Sequence, residues 1–437
     1  DDTSRRMWWA SLEVIQKDFL SQNFKQGGIW VASPLPAFND KKFLNQLHGW
    51  LWSPEGFPYF QNENAGFLPV SNSEKIKNDF ELISNYKDLD LTSIDFTCHT
   101  SPNNILYTGT GSEPRALTGF GHQPDWIWVK RRDGTGHHTS IDAVRGGDKI
   151  IYPNLTQGED TATAAITFGT DGMTWNGGNY DLNDSSDTYV VWSWKGGTTS
   201  GITTNGSTVI TPSAYSFSTT SGFSAVKYTG NGNTTTKVAH GLGKAPEWIL
   251  IKKISANGDN WQVYHTSVGN ATAMQLDNDG GTSGGSDRFY DTTPDSVNFT
   301  LGNHTSVNAN GAEYMAYCFA EVPGFSKFGF YRGNNNANGP FIYTGFKPSW
   351  FMIKRKTSGY SWAIKDNKIN PRNPVSVELY ANGNSADTSG SEVDFLSNGV
   401  KIRSTSGTYN HNAIEYIYMA FAKEPFVASN KDPATAR

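Results

Sequence analysis

Cysteine is nearly absent from this 437-residue chain, which contains only Cys98 and Cys318. Two thiols cannot form a disulfide framework, and the aromatic run around Cys318 favours a buried structural thiol there. Long apolar runs are missing too, since no stretch approaches the ~18 apolar residues of a membrane-spanning helix. No early segment combines the basic, apolar and cleavage regions of a secretion signal. We therefore expect neither a disulfide-built fold nor membrane insertion, and we find no targeting segment.

Charge is also scarce, because Asp, Glu, Lys and Arg make up 18% of the residues and the formal net charge is −5. Without a basic excess, nucleic acid is not an expected partner. Aromatic residues are abundant instead, with 25 Phe, 14 Trp and 19 Tyr, and the chain contains 45 Gly. Short strands with an aromatic core and Gly-rich turns fit this composition better than helices do.

One pattern is present three times: Pro-x-Trp, an apolar strand and two basic residues. The copies are PDWIWVKR at 124–131, PEWILIKK at 246–253 and PSWFMIKR at 348–355. A Tyr-x-Gly turn precedes each Trp by 19, 20 and 19 residues, and a strand that opens with Tyr follows it by 63, 66 and 66 residues. Repetition in register indicates three related modules. It predicts that these repeated residues form the module cores: Trp126, Trp248, Trp350, Tyr189, Tyr314 and Tyr416.

We predict a mainly β protein in which tandem antiparallel β-sandwich modules, of a jelly-roll-like kind, follow a small, partly helical N-terminal domain. The predicted limits are 1–106 for that domain, 107–197 for module 1, 198–227 for a linker, 228–323 for module 2 and 324–437 for module 3 with a C-terminal tail. Residues 208–210 are a candidate extra strand within the linker. The short junction between modules 2 and 3 predicts a fixed orientation of the two and an elongated rod or paddle.

Apolar residues recur at helical spacing near the start of the N-terminal domain. They are Trp8, Leu12, Ile15 and Phe19. This face either buries against the domain itself or docks onto a partner.

Clusters that could carry chemistry are weak. His138, followed by Asp142 and Arg145, matches neither a zinc-ligand spacing nor a nucleophile triad. His138 also stands where the other modules place Trp261 and Trp362, which favours packing. We therefore expect a protein that is not an enzyme and that has no cofactor.

Two further patterns of charged residues are interpreted as surface features. The turn DNDGG at 277–281 resembles a calcium loop but lacks the ligand spacing of an EF-hand, so no metal is expected. The basic pairs at 130–131, 252–253 and 354–355 end a strand in every copy. A solvated edge that blocks sheet-to-sheet pairing is the expected role, and contact with an acidic glycan or partner is the alternative.

Aromatic residues beside Asn- and Asp-rich turns are typical of a sugar-binding face, because pyranose CH groups stack on rings while amides bond hydroxyl groups. Packing in the core is the alternative for each of them. The candidates are Trp175, Tyr180, Trp261, Tyr264, Tyr290, Tyr360 and Trp362.

Several motifs resemble an uncharacterised tandem β-domain family that recurs in tail-fibre-like structural proteins of bacteriophages, especially marine ones. They include YTGNG at 228–232, HGLG at 240–243, WQVYH at 261–265, YMAYCFAE at 314–321, GFSKFG at 324–329, DFLSNG at 394–399, YIYMAFA at 416–422 and PATAR at 433–437. The similarity covers about 107–437 and the motifs are in order. Relatives often begin with a lectin-like sandwich, and this chain has the partly helical segment instead.

The resemblance implies a virion structural protein, a tail fibre or appendage that contacts the host surface, and it implies no catalytic residues. We therefore expect a homotrimer with other virion proteins as partners, with residues 1–106 as the attachment domain and host-surface glycan recognition on loops of modules 2 and 3. The alternatives are a head decoration protein without a receptor and, less favoured, a surface-polysaccharide depolymerase.

Overall fold

The structure, a computed structural model, describes residues 103–162, 166–177 and 182–422. Residues 1–102 of the predicted partly helical domain, including the candidate attachment residues, lie outside these ranges, as does Tyr180. The described residues form a mainly β protein whose paired strands are antiparallel, in agreement with the fold class expected from the sequence.

Module 1 contains nine strands. They are β1 (Asn103–Thr108), β2 (Arg115–Thr118), β3 (Trp126–Arg131), β4 (Thr139–Asp142), β5 (Lys149–Ile151), β6 (Asp160–Thr161), β7 (Ile166–Gly169), β8 (Gly172–Trp175) and β9 (Thr188–Trp194). An inner sheet has the order β1-β9-β3-β4-β5-β6, and an outer sheet has the order β2-β8-β7.

Module 2 repeats this plan with two short helices added. Its elements are β10 (Ala214–Ser218), β11 (Phe223–Thr229), β12 (Thr236–Ala239), β13 (Trp248–Lys253), β14 (Gln262–His265), β15 (Gly269–Gln275), β16 (Ser283–Gly284), α1 (Ser286–Phe289), β17 (Asn298–Leu301), α2 (Thr305–Asn308) and β18 (Glu313–Phe319). The inner sheet is β10-β11-β18-β13-β14-β15-β16, and the outer sheet is β12-β17.

Module 3 joins its two layers into one curled sheet. Its strands are β19 (Ser326–Arg332), β20 (Phe341–Tyr343), β21 (Pro348–Arg355), β22 (Ala363–Asp366), β23 (Val375–Tyr380), β24 (Thr388–Leu396), β25 (Gly399–Ile402) and β26 (Glu415–Ala422). The strand order is β19-β26-β21-β22-β23-β24-β25-β20, so β24, β25 and β20 form the outer layer.

The repeated Trp strands β3, β13 and β21 are buried on both faces. In β3, Ile127 and Val129 point into the core of their own module, whereas Trp126 and Trp128 point into a second cluster that all three modules share. Burial on both sides explains why the repeated strand reads as a continuous apolar run rather than as an apolar/polar alternation.

Two of the sequence landmarks meet as a cross-strand tyrosine pair in every module. Tyr107 stacks on Tyr189 with ring centroids 5.0 Å apart. The same pairing recurs at 5.2 Å between Tyr228 and Tyr314 and at 5.0 Å between Tyr331 and Tyr416. Together with Trp126, Trp248 and Trp350, the predicted core residues Tyr189, Tyr314 and Tyr416 are at most 1% exposed, as the repeats predicted.

The glycine of each Tyr-x-Gly turn is required by a close backbone approach. A Cβ at Gly109 would lie 1.9 Å from the Asp184 carbonyl oxygen, and Gly230 and Gly333 meet backbone in the same way. Only a residue without a side chain fits there.

The three inner sheets pack around one pseudo-threefold axis. Trp194, Phe319 and Phe421, which end equivalent strands, have ring centroids 6.1 Å apart in all three pairs. These distances suit the edge-to-face and tilted contacts that aromatic rings prefer. Each module therefore contacts both others, and the described chain forms a closed ring of modules rather than the rod expected from the short junction.

The module limits also shift. Module 1 begins with β1 at Asn103, and module 2 includes β10 and β11, both of which start inside the stretch 198–227 predicted as a linker. Residues 209 and 210 donate backbone hydrogen bonds to the Lys237 carbonyl oxygen, so this stretch covers the outer edge of module 2.

Candidate functional site

Trp261 and Trp362, predicted to stack on a glycan, are fully buried at the junctions between modules. Trp261 Nε1 donates to the Tyr152 carbonyl oxygen of module 1 at 2.9 Å, and Trp362 Nε1 donates to the Gln275 carbonyl oxygen of module 2 at 2.8 Å. A ring with no exposed surface has no face to offer a sugar. Their glycan-binding role is therefore incompatible with the structure.

His138 takes the equivalent place at the junction that closes the ring. Its Nε2 lies 3.0 Å from the Tyr380 carbonyl oxygen of module 3, and its Nδ1 accepts a 2.7 Å hydrogen bond from Trp128 Nε1. This network assigns a neutral ring protonated on Nε2. Burial, with a smaller contribution from Lys130, lowers the pKa of His138 to about 3. The histidine is thus a junction residue.

A second polar contact recurs at every junction. The Tyr317 hydroxyl donates to Asp142 Oδ2 at 2.6 Å between modules 2 and 1. Trp192 Nε1 donates to Asp366 Oδ2 at 2.7 Å between modules 1 and 3. At the junction of modules 2 and 3, the position of the donor is occupied by Met419, which cannot donate. The position of the carboxylate is occupied by His265, whose Nε2 lies 3.3 Å from the Tyr418 carbonyl oxygen. Donor and acceptor have therefore changed together.

The first lysine of each basic pair is buried, which corrects the expectation of a solvated edge. Lys130, Lys252 and Lys354 are at most 1% exposed. Lys252 Nζ donates to the Thr156 carbonyl oxygen of module 1 at 3.1 Å, and Lys354 Nζ donates to that of Asp279 in module 2 at 3.2 Å. Burial lowers the pKa of all three amines to about 8. Lys252 and Lys354 thus hold a loop of the preceding module at the two junctions that the chain connects, whereas Lys130 donates to the Arg131 carbonyl oxygen of its own module.

The remaining candidates for glycan contact divide into buried and accessible residues. Trp175 and Tyr264 are each 2% exposed, so neither presents a ring to solvent. Tyr290 is 38% exposed at the end of α1. Tyr360 is half-buried beneath the Arg355 guanidinium, which lies 4.4 Å from the ring centre. Tyr290 and Tyr360 lie in separate modules, and no contact between them is seen in the described part of the chain.

A different group of exposed rings lies on the outer layer of module 3. Phe341 and Tyr343 point outward from β20 with 45% and 60% of their surface exposed, and Leu396 on β24 is 37% exposed. We call this the module 3 outer face, defined by these three residues and Gly399. It contains three of the six exposed large apolar side chains in the described ranges, which makes it the candidate functional site.

A family model described as a domain of unknown function, DUF7483, matches residues 100–425, which is well over half of the chain. The chain belongs to the DUF7483 family. A second model, the domain of unknown function DUF8628, matches residues 1–108. No curated protein and no solved structure matches the chain. The limits of the DUF7483 domain enclose all three modules, in keeping with their closure into one ring.

No group of three or more His, Cys, Asp or Glu residues in the described part of the DUF7483 domain is arranged to hold a metal ion. Within the same residues, no helix has the length and apolarity to span a membrane. Cys318 is buried and unpaired, as the sequence predicted, and burial raises the pKa of its thiol.

One repeated polar residue of the DUF7483 domain escaped the sequence comparison. The Oδ1 atoms of Asn183, Asn308 and Asn410 accept from the backbone N–H that follows the Tyr-x-Gly glycine, at 2.7 to 3.0 Å. These asparagines precede the second Tyr by six residues in every copy. That spacing was a signal that could have found them. The outer face had no such signal, because nothing in the sequence distinguishes an exposed ring from a buried one.

Proposed function

We propose that this chain is a non-enzymatic structural protein of a bacteriophage particle, a tail fibre or appendage whose modules contact the host surface. The proposal rests on the ordered motifs between 107 and 437 that resemble tail-fibre-like proteins. The described part of this stretch, up to residue 422, contains the ring of three modules, so the motifs within it belong to one structural unit rather than to scattered similarities.

The observation that carries the proposal is that the polar clusters form hydrogen bonds within the chain. His138, Asp142 and the three buried lysines, which are the groups best suited to chemistry, all bond to other parts of the chain at junctions or beside them. A general acid, base or nucleophile must reach its substrate. Groups held in this way support a structural and binding role over a catalytic one.

We further propose that the assembled appendage is a homotrimer formed through surfaces outside the ring. The faces that the modules use to contact one another are already filled within one chain. Mass photometry or light scattering of the purified 48.0 kDa chain measures this directly.

The test of the function is a cryo-EM map of purified particles that carry this chain, with peptide mass spectrometry of the same sample. We expect peptides of the chain and density in few copies projecting from the tail. A regular coat over the head would replace the proposal with a decoration role without a receptor. Absence of the chain from particles would refute any virion role, and release of reducing ends from host polysaccharide would favour a depolymerase.

A further inference from the structure

The module 3 outer face is an apolar surface on three strands. Leu396 on β24, Gly399 on β25 and Tyr343 on β20 pair directly across the sheet. The Phe341 ring covers Gly399 so closely that a Cβ there would lie 2.8 Å from Phe341 Cζ. With no side chain on Gly399, the Phe341 ring fills the space between the other two apolar groups.

The fold does not require rings at these positions. In modules 1 and 2 the corresponding strands are β2 and β12, whose buried residues include Leu117 and Val238. The positions that alternate with these two residues are Ala116 and Thr118 in module 1, and Lys237 and Ala239 in module 2. Modules 1 and 2 therefore fold without an aromatic residue at these positions. Of the three described strands, only the one in module 3 exposes a pair of rings to water.

Among the described residues, no further strand pairs with the edge beside these rings. β20 ends its sheet, whereas the corresponding edge of module 2 is covered by residues 209 and 210, which bond to the Lys237 carbonyl oxygen at 2.9 and 2.8 Å. An end strand presents backbone N–H and C=O groups to solvent. Hydrogen-bonding groups therefore lie directly beside the exposed rings.

The charged groups on the same surface have partners within the chain. Asp394 pairs with Arg403 at 2.6 Å, and Lys401, which lies between Asp394 and Phe341 in the pairing register, donates to the Gly339 carbonyl oxygen. Apolar rings with donors and acceptors around them suit a pyranose, whose CH face stacks while its hydroxyl groups form hydrogen bonds.

The size of the face argues against a protein partner. Large apolar side chains have roughly 150–250 Å² of surface each. Phe341 and Leu396 are exposed by less than half and Tyr343 by 60%, so the three together expose on the order of 300 Å² of apolar surface. A stable protein interface buries about 800 Å² on each side. β20 has only three residues, which is short for addition of a partner strand. A ligand of one or two sugar rings matches this area.

We propose that the module 3 outer face binds a neutral surface oligosaccharide, with the Phe341 and Tyr343 rings as the stacking platform. This inference rests on the proposed function and deepens it, because it names the class of ligand that the host-contacting protein takes and the place where it binds. Tyr343, with the larger exposed fraction, is the outer of the two rings, and Phe341 lies on the sheet above Gly399.

The experiment uses the purified full chain on a printed array of bacterial surface oligosaccharides, followed by titration of the strongest glycan in solution by calorimetry. The variants are Phe341→Ala and Tyr343→Ala. The matched control is Phe330→Ala, because Phe330 is 56% exposed on β19, away from the outer face. Since Tyr343 is the more exposed ring, Tyr343→Ala remains informative if Phe341→Ala unfolds, and thermal unfolding of each variant checks this.

We expect binding of the wild-type chain, at least a tenfold loss of affinity in both outer-face variants and no loss in the control. Binding that survives both variants overturns the proposal, as does absence of binding to every glycan on the array. Self-association of the wild-type chain in sedimentation velocity that both variants abolish would assign the face to a second copy instead. Particle localisation is measured separately, so a chain found on virions that binds no sugar refutes the platform and leaves the proposed function standing.

Discussion

The junction that closes the ring differs from the junction of modules 2 and 3 in its hydrogen-bond acceptors. Modules 3 and 1 meet through residues such as Asn104 and Asp366, whose 2.6 Å hydrogen bond spans 262 positions in sequence. At the junction of modules 2 and 3, the acceptors of Trp362, Lys354 and His265 are backbone carbonyls. The closing junction adds carboxylates, including an ion pair between Arg132 and Asp387 at 2.6 Å. Carboxylate acceptors thus contribute at the closing junction, as Asp142 does between modules 1 and 2, whereas the contacts named for modules 2 and 3 end on backbone carbonyls.

The largest effect is expected where a buried charge would lose its partner. Asp142, at the junction of modules 1 and 2, pairs with Arg145 at 2.6 Å, and both side chains are at most 1% exposed. Asp142→Ala should lower the free energy of unfolding by about 3–5 kcal/mol, because it leaves a buried guanidinium short of its main counter-ion. Urea denaturation measures the change.

The matched variant Tyr317→Phe removes the junction hydrogen bond but leaves the ion pair. It should cost about 1.5–3 kcal/mol, because the hydrogen bond goes to a charged carboxylate. Similar losses in the two variants would mean that the hydrogen bond, and not the charge, dominates at this junction.

A smaller effect is expected at the equivalent carboxylate of the closing junction. Asp366 accepts from Trp192 and Asn104, and among the described residues no cation forms an ion pair with it. Asp366→Ala should cost about 2–3 kcal/mol by leaving neutral donors unpaired. Asp366→Asn keeps one acceptor oxygen but turns an N–H donor toward either Trp192 or Asn104, so it should cost about 1–2 kcal/mol.

The same Asp-to-Asn change at Asp142 removes the charge that pairs with Arg145. A chemical denaturation series of both Asn variants compares the junctions directly. Equal sensitivity at the two sites would contradict the distinction between them.

Acid should weaken the closing junction through His138, whose pKa lies at about 3 in the folded protein and near 6.5 when unfolded. Between these values the unfolded chain binds the proton and the folded chain does not, so stability is retained above pH 6.5 and falls as the pH drops. At pH 5 this histidine should account for a loss of about 2 kcal/mol.

His138→Gln keeps both hydrogen bonds and removes the titration. The variant should therefore lose about 2 kcal/mol less than wild type between pH 7 and pH 5, as measured by urea unfolding at both values. Because His265 and the other titrating groups are common to both proteins, the difference isolates His138. Parallel pH profiles would exclude its role.

The smallest effect concerns the ion pair of the closing junction. Arg132 and Asp387 are 20% and 19% exposed, so Arg132→Ala should cost only about 0.5–1 kcal/mol. Hydrogen exchange should nevertheless rise around residues 131–136 and 381–387, where backbone bonds link modules 1 and 3. Arg131→Ala, which breaks pairs within module 1, is the control and should leave 381–387 unchanged.

Much of the module architecture could be predicted from the sequence. The register of Trp126, Trp248 and Trp350 defined three related β units, and the repeated tyrosines proved to be stacked pairs in their cores. The candidate site was predicted less well. Trp261 and Trp362 were assigned to a sugar-binding face because nearby turns are polar, yet the neighbouring module covers both rings. Phe341 and Tyr343 were not singled out.

The sequence by itself determined the number of modules, their β class and their internal cores, because strand periodicity and repeat spacing are local properties of the chain. Only the tertiary structure decided which rings are buried between modules and which face water. Closure of the ring brings together surfaces that are far apart in the sequence, as with His138 and Tyr380, which are 242 positions apart. Burial at such a surface depends on what packs against it, and no local pattern contains that information.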